Sequence, residues 1–175
     1  MLQGPRYAFH TRWFTVAATC EEVAGVLSDV GSLARWWPAV YLDVRVLEPG
    51  GVHGLGSRVD LFTKGWLPYT LRWQLHVETM NYPFGSTVTA VGDLTGRGIW
   101  THRQLDAGVE TTYDWEISAE KPLLRYGSFI FRPLFAANHR RAMQTGELSL
   151  ALEVRRRRGE TVGPPPQPTF RPVKR

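Results

Sequence analysis

The chain predicts an α+β domain in which a curved antiparallel sheet of about seven strands is covered by one long C-terminal helix, with a cavity between the two. Three observations carry this. Between residues 8 and 119, short stretches alternate apolar and polar side chains with a period of two and are separated by glycine- and proline-bearing turns. Only one helical interruption, two short helices, falls among them. From Pro133 to Arg158 the text is helix-like and has no strand signal. A sheet with one buried face needs a second layer, and a long helix can supply it. The gap between such layers is a natural place for a ligand.

The elements follow in order. Ala8–Ala17 alternates and is rich in β-formers, giving a first strand. Thr19-Cys20-Glu21-Glu22 has capping-box spacing: the Thr19 hydroxyl accepts the amide three residues on, and Glu22 reaches back to the Thr19 amide. Val23, Val26, Leu27 and Val30 then recur at helical spacing. A second short helix covers Leu33–Trp37, and Pro38 ends it because the residue before proline is pushed out of the helical region. Strands follow at Val40–Leu47, Ser57–Thr63, Tyr69–Glu78, Ser86–Val91, Ile99–Leu105 and Val109–Ser118. The turns between them include the glycine-dense Gly92–Gly98 and the short Asp106-Ala107-Gly108 hairpin. If no bulge intervenes, parity puts Gly98, Trp100, His102 and Gln104 on the same face as Tyr113 and Trp115, and Arg103 sits across from Asp114 or Glu116. Pro122–Phe131 reads as a short helix, interrupted by Pro133 before the long one. On the long helix Leu134, Phe135, Asn138, Ala142, Thr145, Ser149 and Leu152 share a mixed stripe, as expected for a helix that faces a partly polar cavity. The expected organisation is a lead at 1–7, a domain at 8–158 and a disordered, basic, proline-rich tail at 159–175.

Composition narrows the function classes. The net charge is +5, but from Arg155 onward seven basic residues face Glu160 alone, so residues 1–154 are close to neutral. A folded part without a broad basic surface argues against nucleic acid as partner. Cys20 is the only cysteine, which excludes an internal disulfide and fits a reducing compartment. No apolar run reaches the ~20 residues of a membrane span, and the N-terminus lacks a signal-peptide core; the default is cytoplasmic. His10, His53, His76, His102 and His139 are scattered without metal-ligand spacing, and no nucleotide-binding or nucleophile-elbow motif is present. Neither metal nor cofactor is expected.

Four passages resemble one family. Residues 16–40 (VAATCEEVAGVLSDVGSLARWWPAV) give a strand end, a capped helix, then Asp and paired Trp before Pro. GWLPYTLRW (65–73) and GDLTGRGIW (92–100), with NHRRAMQTGELSLALEVRR (138–156), complete the pattern. Together they resemble the START-like (SRPBCC) superfamily with its helix-grip fold, over about residues 8–156, and within it the bacterial polyketide cyclase/dehydrase-like members. The resemblance implies a ligand cavity between sheet and C-terminal helix. It does not imply one activity, since the superfamily holds enzymes, transporters and binding proteins.

The residues offer candidates. His102 and Tyr113 can act as an acid/base pair on an enolisable substrate if His102 faces the cavity; the plainer alternative is a hydrogen-bonded wall residue. Trp37, Trp66, Trp73, Trp100 and Trp115 can stack on a flat ligand, or can be ordinary core. Arg97 suits a carboxylate or carbonyl at the cavity mouth, against an internal lock with Asp93. Phe135 and Asn138 face the cavity from the helix, Asn138 as a polar anchor or as a bond to the sheet. His139, one step round, reads as a solvated flank. Arg155–Arg158 with the following prolines reads as a solubilising tail or as a contact to a membrane surface or partner. Three readings stay open: binding of a small hydrophobic ligand (aromatic, polyketide-like or lipid-like), a metal-free cyclase or dehydratase, and an accessory module held by its basic tail, each as monomer or homodimer.

Overall fold

The computed structural model describes residues 6–119 and 128–169, and only the backbone of residues 128–131. Seven strands form one antiparallel sheet: β1 (Arg6–Val16), β2 (Tyr41–Glu48), β3 (Arg58–Lys64), β4 (Thr70–Asn81), β5 (Gly85–Gly92), β6 (Leu94–Leu105) and β7 (Gly108–Ala119). Their order is β1-β7-β6-β5-β4-β3-β2. Thus β2 to β7 form a meander, and β1 joins the far edge beside β7. Helices α1 (Cys20–Leu27) and α2 (Leu33–Trp36) carry the chain from one edge of the sheet to the other, and α3 (Ser128–Arg157) lies across it.

The capping box forms as its spacing requires. Thr19 Oγ1 accepts from the Glu22 amide at 3.3 Å, and the Thr19 amide donates to Glu22 Oε2 at 2.9 Å. Parity in the last hairpin also holds, with Trp100 opposite Tyr113 and His102 opposite Thr111. Three details differ from the sequence reading. The glycine-dense stretch is not a turn: β6 starts at Leu94 and takes in Gly96 and Gly98. At Gly98 a Cβ would stand 2.7 Å from the rings of Tyr113 and Trp115, so glycine there lets two aromatic rings lie over the strand. Arg103 pairs with Glu110, its register partner, at 2.8 Å, and not with Asp114 or Glu116. Finally, α3 runs through Pro133 without a break, although proline removes one amide donor from the ladder; residues 122–127 of the expected short helix lie outside the described residues.

The buried side of α3 is also not quite the expected stripe. Asn138, Met143, Ser149, Leu150, Glu153 and Val154 are buried, whereas Leu134 is exposed. Glu153 is fully buried, and arginines surround it. Arg35 of α2 reaches both its oxygens, at 2.7 and 3.2 Å, Arg156 reaches Oε2 at 2.8 Å, and Arg157 reaches Oε1 at 2.9 Å. Burial pushes the Glu153 pKa up, but the three guanidinium groups outweigh it and hold the carboxyl below the usual range. Arg157 also bonds Asp29 at 2.8 Å, Arg158 chelates Glu22 at 2.6 Å, and Arg155 bonds Glu160 at 2.7 Å. All four arginines of the expected tether are therefore in ion pairs, and three of them fasten α3 to itself and to the α1–α2 segment.

Gly159, at φ +84°, ends the helix. The Gly159 amide bonds the Arg156 carbonyl and the Glu160 amide bonds the Arg155 carbonyl, which is the Schellman arrangement. Beyond it, residues 160–169 form no helix or strand, yet they turn back toward the domain. Arg156 donates to the Gly163 carbonyl at 3.2 Å, and Thr169 meets Lys64 and the Trp66 carbonyl. Proline-rich composition gave no reason to expect these contacts.

At the α1 end of the sheet, Gln104 accepts from the Cys20 amide and donates to the Ala18 carbonyl. His102 is buried beside it, 5% exposed, with Nδ1 3.2 Å from Thr111 Oγ1. Burial pulls the His102 pKa down to about 4. Acid should therefore unfold the protein in two stages. Between pH ~6.5 and about 4 the unfolded chain takes up a proton that folded His102 refuses, so stability falls over that window by up to about 3 kcal/mol. Below pH ~4.5 the carboxylates held down by arginine, Glu153 and Glu22, protonate only after their unfolded counterparts, and their share is lost. Thermal melts across pH 3–8 should show both stages. His102→Asn should remove about half of the first, because His139, whose pKa burial also pulls down to about 4, contributes over the same window. Glu153→Gln should reduce the second to the share of Glu22 and cost about 1–3 kcal/mol at pH 7.

Candidate functional site

A cavity of about 150 Å³ lies between the concave face of the sheet and the N-terminal half of α3. An engineered apolar cavity of similar volume accepts a single aromatic ring. One part of its wall is aromatic. Tyr113 stacks on Trp100 with centroids 3.9 Å apart and on Trp115 at 5.5 Å, Trp73 tilts against Trp115 at 5.9 Å, and Trp37 meets Tyr41 edge-on at 5.2 Å. Inward parity on β4, β6 and β7 puts Trp73, Trp100, Tyr113 and Trp115 there. The indole N–H groups of two wall residues are bonded within the protein, Trp37 to Thr145 Oγ1 at 3.2 Å and Trp73 to Thr63 Oγ1 at 3.0 Å. Thr145, expected as a polar cavity residue, is thus the partner of Trp37. Gly146 makes the fit possible, since a Cβ there would run into the Trp37 ring.

The other part of the wall is polar. Asn138 accepts from the Leu67 amide at 2.9 Å and donates to Tyr69 Oη at 3.2 Å, pinning the β3–β4 loop to the helix. A carboxamide has two N–H donors, so this arrangement leaves one for another acceptor. A side chain at Gly65 would collide with this amide. Phe135 lies between two phenols, edge-on to Tyr7 and to Tyr69 at 6.2 and 6.0 Å. Tyr7 is 7% exposed, and among the described residues its hydroxyl has no hydrogen-bond partner. Burial raises the Tyr69 pKa to about 12, with Tyr7 adding to the rise and the Asn138 bond opposing it. Burial likewise raises that of Tyr7, against the pull of Arg132. Both phenols are protonated donors at neutral pH. His139 stacks on Phe9 at 4.0 Å, and burial pulls its pKa to about 4, so its imidazole is neutral. Lys64, 2% exposed, completes this part of the wall.

Of the residues singled out from the sequence, Trp37, Trp73, Trp100, Tyr113, Trp115, Phe135 and Asn138 line the cavity. Three do not. His102 lies on the same face but deeper toward α1, so the His102–Tyr113 pair does not meet in the cavity. Trp66 is 48% exposed on the β3–β4 loop, against the returning C-terminal segment. Arg97 is exposed and points to an outer groove with Arg6 and Arg132; its expected partner Asp93 instead accepts from the Arg72 amide at 2.9 Å. The cavity also recruits Tyr7, Lys64, Tyr69 and His139. Tyr69 carried a signal, being on the inward parity of its strand. Tyr7 preceded the expected first strand, Lys64 was read as turn, and His139 as solvated flank. Among the described residues no cluster of His, Cys, Asp or Glu could hold a metal ion, and no helix is long and apolar enough to cross a membrane.

No family model and no curated protein matches the chain. Solved structures do. The aromatase/cyclase Zhui from Streptomyces sp. R1128 superposes with a TM-score of 0.67 at 20% identity, over 87% of this chain and 96% of that one. TTHA0849 from Thermus thermophilus gives 0.61 at 16% identity, over 88% and 96%. Norcoclaurine synthase from Thalictrum flavum gives 0.60 at 13% identity, over 90% and 99%. At these identities the likeness is one of fold. With the element order, the seven-stranded curved sheet and the long covering helix, it identifies the architecture of this chain as the helix-grip fold.

Proposed function

We propose that the chain binds a small, largely apolar, ring-bearing molecule in this cavity, with the ring against the aromatic wall and an oxygen of the ligand held at the polar part. The observation that carries this is the Tyr7 hydroxyl. A buried donor without a partner costs roughly 1–3 kcal/mol, and this one lines a cavity beside the Tyr69 hydroxyl and the Asn138 amide. A carbonyl or hydroxyl oxygen of a ligand would accept from it. The aromatic wall supplies contact area, and its bonded indoles add few competing polar groups there. The ion pairs of Arg155–Arg158 support this reading over that of a module held by a free basic tail.

A second reading has one observation in its favour. The neutral His139 imidazole shares the cavity with two protonated phenols, which is the equipment for moving a proton to and from an enolisable carbonyl. In a cyclase- or dehydratase-type reaction His139 would take the role the sequence assigned to His102. The aromatase/cyclase among the structural neighbours is in keeping with it.

Two measurements test these readings. Native mass spectrometry of the protein purified from its own host should show a stoichiometric, unmodified apolar ligand; a mixture of substrate and dehydrated or cyclised product would favour turnover instead. Tyr7→Phe should move stability and affinity in opposite directions. Removing an unpartnered buried hydroxyl should leave the melting temperature of the ligand-free protein unchanged or higher, while weakening binding of the identified ligand about threefold to tenfold. Equal affinity in the variant would remove the Tyr7 hydroxyl from the site. Asn138→Ala should instead cost about 1–2 kcal/mol of stability, because the Leu67 amide loses its acceptor.

A further inference from the structure

Two further phenols border the cavity, Tyr41 at the start of β2 and Tyr113 in the middle of β7. The strands lie toward opposite edges of the sheet, and its curvature brings both side chains to one place. Both also line a second, smaller space of about 30 Å³ behind the main cavity. Trp37 and Trp100 border both spaces as well and back the two phenols, Trp37 edge-on to Tyr41 at 5.2 Å and Trp100 stacked on Tyr113 at 3.9 Å. The Tyr113 hydroxyl lies over Gly98, where a Cβ would collide with it. Among the described residues neither hydroxyl has a hydrogen-bond partner, and neither is sealed from the space it borders. The smaller space is otherwise mostly apolar, with Leu27, Val30, Leu75 and Val77 in its wall; Ser28 and Ser86 border it too, but neither bonds a phenol. Its volume exceeds the roughly 10–15 Å³ that one water-sized group needs.

On the reading that the cavity takes a ring-bearing ligand, we propose that Tyr41 and Tyr113 form a second oxygen-binding point at its back, so that the ligand is a ring with acceptor oxygens at both ends. The two points are set apart along α3. Asn138 belongs to the first, and Thr145, seven residues on, holds the Trp37 indole that touches Tyr41; seven residues of helix rise about 10 Å. A ring with a carbonyl at each end of its long axis reaches from one set of donors to the other. Burial raises the pKa of both phenols, and Tyr41 adds to the rise at Tyr113, so both keep their protons at neutral pH and donate. A ligand with one oxygen satisfies one point and leaves buried donors unpartnered at the other. A ligand with two satisfies both, its second oxygen reaching past the rings into the smaller space.

Isothermal titration of the full chain at pH 7 with two matched probes tests this: 1,4-diacetylbenzene, and 4-isopropylacetophenone, in which an isopropyl group of similar shape replaces one acetyl. The wild type should bind the diketone about threefold to tenfold more tightly, the worth of a neutral hydrogen bond, although the monoketone is the more apolar. Tyr41→Phe and Tyr113→Phe should each lower diketone affinity about threefold and change monoketone affinity less than about twofold. The melting temperature of either ligand-free variant should be unchanged or higher, because the hydroxyl removed has no partner. Three results overturn the proposal while leaving the cavity reading intact: no preference for the diketone in the wild type, an undiminished preference in either variant, or an equal loss of both probes in the variants, which would assign the effect to ring packing. Binding of neither probe overturns the proposal together with the cavity reading. The wild-type preference decides the matter even if a variant fails to fold.

Discussion

The Glu153 carboxylate is the point on which the layers of this protein depend. A single long helix has to cover a seven-stranded sheet, and its apolar side chains cannot by themselves set where along the sheet it rests. A fully buried carboxylate that needs guanidinium partners can. Arg35 comes from α2, and Arg156 and Arg157 from the helix itself, so satisfying the carboxylate fixes the C-terminal half of α3 against the α1–α2 segment. Arg157 to Asp29 and Arg158 to Glu22 extend the same fastening. Breaking such a buried set is costly because it strands a charge. That cost makes the arrangement specific.

With the helix held at one end, its other half can stand off from the sheet far enough to leave a cavity. The residues that shape the gap act through size. Gly146 lets the Trp37 ring lie against the helix, Gly98 lets two rings lie across β6, and Gly65 admits the Asn138 amide. Asn138 then ties the helix to the β3–β4 loop, a second and weaker attachment at the rim of the cavity. The gap is thus bounded by an ionic fastening at one end and a neutral amide bridge at the other. Neutral hydrogen bonds are worth roughly 0.5–1.5 kcal/mol net, so of the two boundaries the rim is the easier to open.

How much of this was legible in the chain depended on the range of the interactions. The strands showed in the sequence because alternation is local, and so was the capping box of α1. The inward positions of Trp73, Trp100, Tyr113 and Trp115 followed from parity alone. The glycine stretch of β6 misled because glycine-rich composition reads as a turn; the reason for Gly98 lies in rings contributed by another strand. Arg155–Arg158 misled for the same reason. A charge run is usually solvated, and partners more than a hundred residues away, Arg35 with Glu153 and Glu22 with Arg158, give no local sign. His102 and His139 exchanged roles: His102 faces inward on β6 but lies deep toward α1, whereas His139, one step round α3 from Asn138, still meets the sheet through Phe9 and lines the cavity.

That exchange also says where discrimination among ligands resides. Much of the cavity wall is aromatic, and two of its indole N–H groups are engaged by Thr145 and Thr63. Such a wall distinguishes ring from chain and flat from bulky, but it has little means of telling one oxygenated ring from another. Most of the groups able to do so lie together: the Tyr7 and Tyr69 phenols, the Asn138 amide, the His139 imidazole and Lys64. They come from β1, the end of β3 with the β3–β4 loop, and α3, elements that meet only if the helix is correctly seated. The ionic cluster at the far end of α3 is therefore coupled to the chemistry of the cavity through the rigidity of one helix. Damage at Glu153 should show in the polar part of the wall before it shows in the aromatic part, because the aromatic residues are held mostly by the sheet and the polar ones are shared with the helix.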